Sequence, residues 1–311
     1  MLRLAFIFPG QGAQYIGMGQ ELAENIPASA EVFRVADGLL DFPLSSLCFA
    51  GPAEKLEQTE YAQPAILATS IAALQAVKSI DIEPVVLAGL SLGEYTALVA
   101  AGTLTLEEAL PLVRLRGRLM QEAVPRGQGS MSAVMGLDNE VVEDICRNTE
   151  GYVAVANYNA IKQVVISGES MAVVRAGAAL KESGGKVVPL AVSVPSHCRL
   201  MFDAAMRLRS ELEKLNWKEP HIPVVSNVNA EKNPAAEQVG LLVQQLYSPV
   251  RWEQSVRYML GEIDYFIEIG PGSSLSGLIK RIDRNAMLGN IEDMKSLEKI
   301  KEKVETLCRK G

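Results

Sequence analysis

Pro84-Val85-Val86-Leu87-Ala88-Gly89-Leu90-Ser91-Leu92-Gly93 is the stretch that sets the fold class. Val85 to Leu90 is a short apolar run that predicts a strand, and a helix begins near Gly93 and runs to about Ala101. Between them, Gly89-Leu90-Ser91-Leu92-Gly93 fits G-x-S-x-G, and a strand before with a helix after is the context that gives this pattern chemical meaning. The sharp turn forces Ser91 into a strained backbone conformation, and the hydroxyl is thrust out at the strand's C-terminal end. The N–H groups that follow sit at a helix N-terminus, where they stabilise negative charge. Without a base to take the serine proton, the same residues are only a glycine-rich turn.

Similar patterns recur outward from this turn. Leu2 to Phe8 predicts a second apolar strand, running into Pro9-Gly10-Gln11-Gly12. Residues 64 to 78 predict a helix, and Thr105-x-x-Glu108 opens another with a capping box. From residue 127 the order changes to strand, helix, strand, strand, helix, strand, ending near Leu190; this is the ferredoxin-like βαββαβ unit. Val224 to Ser226 and Tyr265 to Ile269 then resume the first pattern. The expected architecture is α/β: a hydrolase-like main domain with a mostly parallel sheet, residues 1–126 and 193–311, carrying an inserted ferredoxin-like small domain, residues 127–192. The Lys- and Glu-rich tail from Lys295 is expected to be a solvated helix.

Composition excludes several classes of function. The chain has 311 residues and a net charge of −7, from 30 basic and 37 acidic residues. It has no long basic run, so nucleic acid and anionic membrane are poor partners. The cysteines, Cys48, Cys146, Cys198 and Cys308, are scattered without a CxxC, which argues against zinc or a disulfide framework and fits a reducing compartment. No stretch approaches the roughly 20 apolar residues of a membrane span. A cytoplasmic, monomeric protein is expected.

Only two histidines are available as a base for Ser91. His197 lies in Pro195-Ser196-His197-Cys198, just after the small domain, where a cleft between domains forms; His221 lies between prolines and leads into a strand. His197 is the better candidate, although either histidine could be simply structural. On the helix from Thr105, the apolar stripe centres near Val113 and Met120. Arg116 lies about 60° from that centre, with Arg114 about 100° and Arg118 about 140° away. Arg116 therefore flanks the inner face, where a guanidinium needs an anion. That anion is either an internal carboxylate or the carboxylate of a substrate.

Five segments occur in order: Phe8-Pro9-Gly10-Gln11-Gly12, Gly89 to Tyr95, Arg116-Gly117, Val192 to Cys198, and Glu268-Ile269-Gly270-Pro271-Gly272. Together they resemble the malonyl-CoA:acyl-carrier-protein transacylases of fatty acid and polyketide synthesis, over residues 4 to about 282. The resemblance implies ping-pong transfer of malonyl from CoA to the phosphopantetheine thiol of an acyl carrier protein, with Ser91 as nucleophile and His197 as base. It implies that the main-chain carbonyl of Gln245 orients the histidine, so that no buried anion supports the imidazolium. The backbone N–H groups of Gln11 and Leu92 would form the oxyanion hole, and Arg116 would hold the malonyl carboxylate. CoA esters and the carrier are the implied partners, with no metal or redox cofactor. Ser196 resembles the bacterial fatty-acid enzymes.

Two departures stand out. Leu90 replaces a histidine common in the family, and Asn157-Tyr158-Asn159-Ala160-Ile161-Lys162-Gln163 lacks the usual Pro-Gly. Asn157 and Asn159 still match and imply a polar role near the substrate; Val153 to Asn157 reads as a strand, and the residues after it as a hairpin loop. The competing readings are a serine hydrolase or thioesterase, a stand-alone acyltransferase serving a polyketide synthase, and a carrier-binding scaffold without activity.

Overall fold

The computed structural model describes residues 2–191 and 194–310. Its strands, in chain order, are β1 (Leu4–Phe8), β2 (Pro84–Gly89), β3 (Gly129–Met135), β4 (Val153–Ala160), β5 (Gln163–Glu169), β6 (Lys186–Pro189), β7 (Val224–Val225), β8 (Tyr265–Ile269) and β9 (Met287–Ile291). They form a five-stranded sheet of order β7-β2-β1-β8-β9 and a four-stranded sheet of order β4-β5-β3-β6. Every strand pair of the larger sheet is parallel, and every pair of the smaller is antiparallel. With helices Asn139–Asn148 and Ser170–Glu182 between its strands, the smaller unit is βαββαβ. The α/β class and the ferredoxin-like insert therefore agree with the patterns in the sequence. Val192 and Ser193, the first residues of the histidine segment and the expected boundary between units, lie outside the described residues. No helix among the described residues is long and apolar enough to cross a membrane.

The parallel sheet places the functional loops. β1 is flanked by β2 on one side and β8 on the other, so the loops at its C-terminal end diverge and leave a crevice. Helix Thr59–Val77 is buried almost all round and forms the centre of the main core. It begins before Pro64, where the sequence pattern started it, because Thr59 to Gln63 pack against helix Leu106–Ala123. That second helix carries the expected capping box: Thr105 Oγ1 accepts from Glu108 N at 3.2 Å, and Thr105 N donates to the Glu108 carboxylate at 2.9 Å. Glu268, from the last of the five segments, is buried and accepts from Leu275 N at 3.0 Å and Ser276 N at 2.7 Å. It fills the N-terminus of helix Ser274–Ile282.

Two local expectations are corrected. The C-terminal helix Met294–Lys310 is not simply solvated: Leu297 and Ile300 are buried in the main core, beside the unanticipated edge strand β9. The strand expected to end at Asn157 runs on to Ala160, so Asn159 too lies on β4 rather than in a loop, with register shifts on either side of the Asn157–Tyr158 pair. The turn itself falls at Lys162, which adopts a positive φ of 54°. Backbone bonds from Tyr158 N to Val250 O and from Val250 N to Ala156 O, both 2.9 Å, pull the β4 segment towards the main unit and away from simple hairpin pairing.

The elbow requires close backbone contact. A Cβ on Gly93 would lie 2.1 Å from the Phe8 carbonyl oxygen. Gly93→Ala is therefore expected to destabilise the fold by about 3 kcal/mol or more in urea denaturation. Gly240, inside helix Ala235–Tyr247 with open space around it, is the control; Gly240→Ala is expected to stabilise by about 0.5–1 kcal/mol.

Candidate active site

Ser91 sits between β2 and helix Leu92–Ala100 with φ 54° and ψ −103°. That conformation costs roughly 1–3 kcal/mol for a residue with a side chain and persists only where the surroundings impose it. Asn227 supplies much of that imposition. Its Oδ1 accepts from Ser91 N at 2.6 Å, and its Nδ2 donates to Gly89 O at 2.7 Å. His197 is also strained, with φ 58°. Asp81, Lys162 and Ala230 have positive φ as well, but Ser91 and His197 are the pair that meet: His197 Nε2 lies 2.8 Å from Ser91 Oγ.

On its other side, His197 Nδ1 lies 2.7 Å from the main-chain oxygen of Gln245. A carbonyl oxygen only accepts, so Nδ1 carries the proton. Nε2 then presents a lone pair to the serine hydroxyl. His197 is buried, and its pKa is pushed down to about 4, first by burial and then by the Arg116 guanidinium, against the pull of the Gln245 carbonyl. The imidazole is therefore neutral at physiological pH and able to accept the serine proton. His221, the other histidine, is exposed and bonds through its backbone to Ala101 O beyond the far end of the elbow helix.

Arg116 is buried on the inner side of helix Leu106–Ala123, whereas Arg114 pairs with Asp41 and Glu60 and Arg118 points outward, as the helical spacing predicts. Gly117 lets this helix approach the Thr59 carbonyl, where a Cβ would lie at 2.5 Å. Arg116 Nη1 donates to Gln63 Oε1 at 2.9 Å, and Nη2 donates to Gln245 Oε1 at 2.9 Å and to Ser91 Oγ at 3.0 Å. Among the described residues it makes no ion pair, and its Nε has no hydrogen-bond partner. An internal carboxylate bound directly to it is therefore not the anion that the sequence left open.

Gln11, Ser91, Arg116, Asn157, Asn159 and His197 line one cavity of about 190 Å³. Leu90, Met120, Met131, Val165 and Leu190 form its apolar wall, so the leucine at the departing position faces the same space. Leu92 and Ser196 also border it. Gln11 is fixed by its side chain, whose Nε2 donates to Thr59 Oγ1 at 3.1 Å. Among the described residues the backbone N–H groups of Gln11 and Leu92 have no acceptor. Asn159 Oδ1 is buried and also unpartnered.

Other members of the site escaped the sequence reading. Glu94, one helical turn beyond Ser91, is fully buried; its Oε2 accepts from Gln245 Nε2 at 2.7 Å and from Asn227 N at 3.1 Å. A buried carboxyl thus stands behind the side chain of Gln245, while the histidine itself bonds only the Gln245 carbonyl and the serine hydroxyl. A lone glutamate in an otherwise apolar helix was the available signal, as was Gln63 among the alanines of its helix. Asn227 carried no local signal, because its role depends on a contact 136 residues away.

A sequence model of the acyl transferase domain matches residues 5–305. The malonyl CoA-acyl carrier protein transacylase of Bacillus subtilis strain 168 is 46% identical over 304 residues, covering 96% of each chain. This chain belongs to the malonyl CoA-acyl carrier protein transacylase family. Its Haemophilus influenzae relative of the same description is 44% identical, covering 97% of this chain and 99% of its own. Among solved structures of the family, the transacylase of Clostridium perfringens superposes with a TM-score of 0.95 at 41% identity, covering 98% of both chains. A malonyl-transacylase in complex with a type II polyketide acyl-carrier protein superposes with a TM-score of 0.94 at 42% identity, covering 97% of this chain and 99% of its own. The family is one of acyltransferases, and the chain is an enzyme of that class.

The histidine geometry sets a pH expectation. The neutral imidazole is the form that accepts a proton, so the capacity of His197 to take the Ser91 proton is retained above the folded-state pKa and lost as pH falls through it. With acetyl-CoA as donor, the acid limb of the rate profile is expected near pH 4. In Arg116→Ala the limb moves upward, because the repelling charge is gone. A limb near the unperturbed value of about 6.5 in both proteins overturns this account.

Proposed function

We propose that this enzyme transfers the malonyl group of malonyl-CoA to the phosphopantetheine thiol of an acyl carrier protein, in two steps through a malonyl ester on Ser91. The observation that carries this reading is the pair of contacts on Ser91 Oγ, with His197 Nε2 at 2.8 Å and Arg116 Nη2 at 3.0 Å. The base and the group that selects a carboxylate thus converge on the nucleophile.

In the first step, Ser91 Oγ bonds to the thioester carbon and its proton moves to His197 Nε2. The oxyanion that forms is received by the backbone N–H groups of Gln11 and Leu92. Collapse breaks the carbon–sulfur bond, and the imidazolium protonates the departing CoA thiolate. In the second step the carrier thiol gives its proton to His197 and attacks the ester carbon; the bond from that carbon to Ser91 Oγ breaks, and the imidazolium returns the proton to the serine oxygen. The Gln245 carbonyl keeps the imidazole in the required tautomer throughout. Arg116 holds the malonyl carboxylate by a charge-assisted bond that an acetyl group lacks. Asn157 and Asn159 supply polar contacts on the opposite wall. Every step uses lone pairs of oxygen, nitrogen and sulfur, so the reaction calls for no metal or redox cofactor. We place it in the cytoplasm, in a monomeric enzyme of fatty acid synthesis.

The likeness to the polyketide malonyl-transacylase supports a second reading, in which the physiological carrier belongs to a polyketide synthase. Comparing kcat/KM for holo carriers of the two kinds separates them; a clear preference for the polyketide carrier favours the second.

Two measurements test the chemistry. Intact-protein mass spectrometry after incubation with malonyl-CoA is expected to show one malonyl adduct that Ser91→Ala abolishes, and rapid release of free malonate without carrier would instead indicate a hydrolase. Arg116→Ala is expected to lower kcat/KM for malonyl-CoA by about 100-fold or more while affecting acetyl-CoA far less. An equal fall for both donors would show that Arg116 does not select the acyl group.

A further inference from the structure

Glu94 takes no part in the transfer steps above. It is an acidic residue in the first turn of the elbow helix and is fully buried, against Gln245 and Asn227. Burial pushes its carboxyl up to about 6, while hydrogen bonds from the Gln245 amide and the Asn227 N–H and the charge of Arg116 act the other way, so it is ionised at neutral pH. A buried carboxylate is retained only where something depends on it or compensates it.

The group between Glu94 and Arg116 is the side-chain amide of Gln245. Its Oε1 accepts from Arg116 Nη2 at 2.9 Å; its Nε2 donates to Glu94 Oε2 at 2.7 Å and to Ser91 O at 3.0 Å. The amide has one workable orientation. Turned over, it would aim its NH2 at the guanidinium and its oxygen at both the Glu94 carboxylate and the Ser91 carbonyl. The anion on one side and the cation on the other therefore lock it. Charge is balanced across the amide without a direct ion pair.

We propose that Glu94 is a positioning residue for acyl-group selection: through the Gln245 amide it holds Arg116 against Ser91 while leaving the guanidinium unpaired for the substrate's carboxylate. A carboxylate bonded directly to Arg116 would compete with malonyl for the same donors. No carboxylate at all would leave the buried guanidinium uncompensated in the empty site, free to turn away. Glu94 at one remove avoids both. This inference rests on the malonyl-transfer reading. Its rival is a purely structural role, because Glu94 also holds Asn227 N and thereby the elbow.

The test compares acylation of the full chain by malonyl-CoA and acetyl-CoA in wild type, Glu94→Gln and Glu94→Asp. Glu94→Gln removes the charge at constant shape and frees the Gln245 amide to turn. It is expected to raise KM for malonyl-CoA about tenfold, with kcat changed far less and acetyl-CoA acylation within about twofold. Glu94→Asp, which keeps the charge, is expected to hold the malonyl preference within about threefold of wild type. An equal loss on both donors marks a structural role and overturns the proposal, as does an unchanged preference. Should Glu94→Gln fail to fold, Gln245→Met decides: it removes the bridging amide and keeps the main-chain carbonyl, so the malonyl-over-acetyl ratio must fall about tenfold. An unaltered ratio there overturns the proposal. If wild type itself takes no malonyl on Ser91, the function is wrong; if wild type prefers malonyl and the variants still do, only this inference is.

Discussion

The hydrogen bonds of Gln245 hold the site together. Its main-chain oxygen takes the His197 Nδ1 proton at 2.7 Å, and its side chain touches Arg116, Ser91 and Glu94. One residue near the end of helix Ala235–Tyr247 thus sets the histidine tautomer, the direction of the arginine and the carbonyl of the nucleophile. A carbonyl is a weaker partner for imidazolium than a carboxylate. It also leaves the histidine with no strong reason to ionise before substrate arrives. With Arg116 nearby, the imidazole stays neutral, the form able to accept a proton from the Ser91 hydroxyl.

The site gathers a cation, a carboxylate and a strained serine around one small cavity. Each would be costly alone. Arg116 spreads its donors over Gln63, Gln245 and Ser91, all neutral, so its charge stays available. Glu94 Oε2 accepts from an amide and a backbone N–H, while its Oε1 has no hydrogen-bond partner among the described residues. The strain at Ser91 is held by Asn227 from below and by the close approach of Gly93 to β1. These groups support one another in a low-dielectric setting, where each hydrogen bond is stronger than in water.

The small antiparallel sheet closes the cavity from the other side. β4 bonds through Val250 to the chain just after Gln245, so Asn157 and Asn159 are tied to the segment that carries the histidine's partner. With Met131 and Val165 from β3 and β5, they complete the wall opposite Ser91. The missing Pro-Gly matters less than it first reads, because the bond pattern with Val250 and not the turn sequence aims these asparagines.

By itself the sequence determined the α/β class, the βαββαβ insert, the elbow and the inward face of Arg116. These follow from local period and turn chemistry: apolar strand runs, a capping box, a G-x-S-x-G turn, and 100° per residue along one helix. Position after the small domain already favoured His197 over His221, and the resemblance made that choice firm; Gln245 came by resemblance alone. Tertiary structure decided which histidine meets Ser91, that Glu94 and Asn227 belong to the site, that β4 runs on through Asn159, and that the C-terminal helix buries Leu297 and Ile300. Each of these depends on contacts between segments far apart in the chain, Ser91 with Asn227 and His197, Glu94 with Gln245. Local pattern carries no information about such pairs, because period and turn propensity act over a few residues, while a buried polar group is satisfied by whichever partner the packed fold brings within 3 Å.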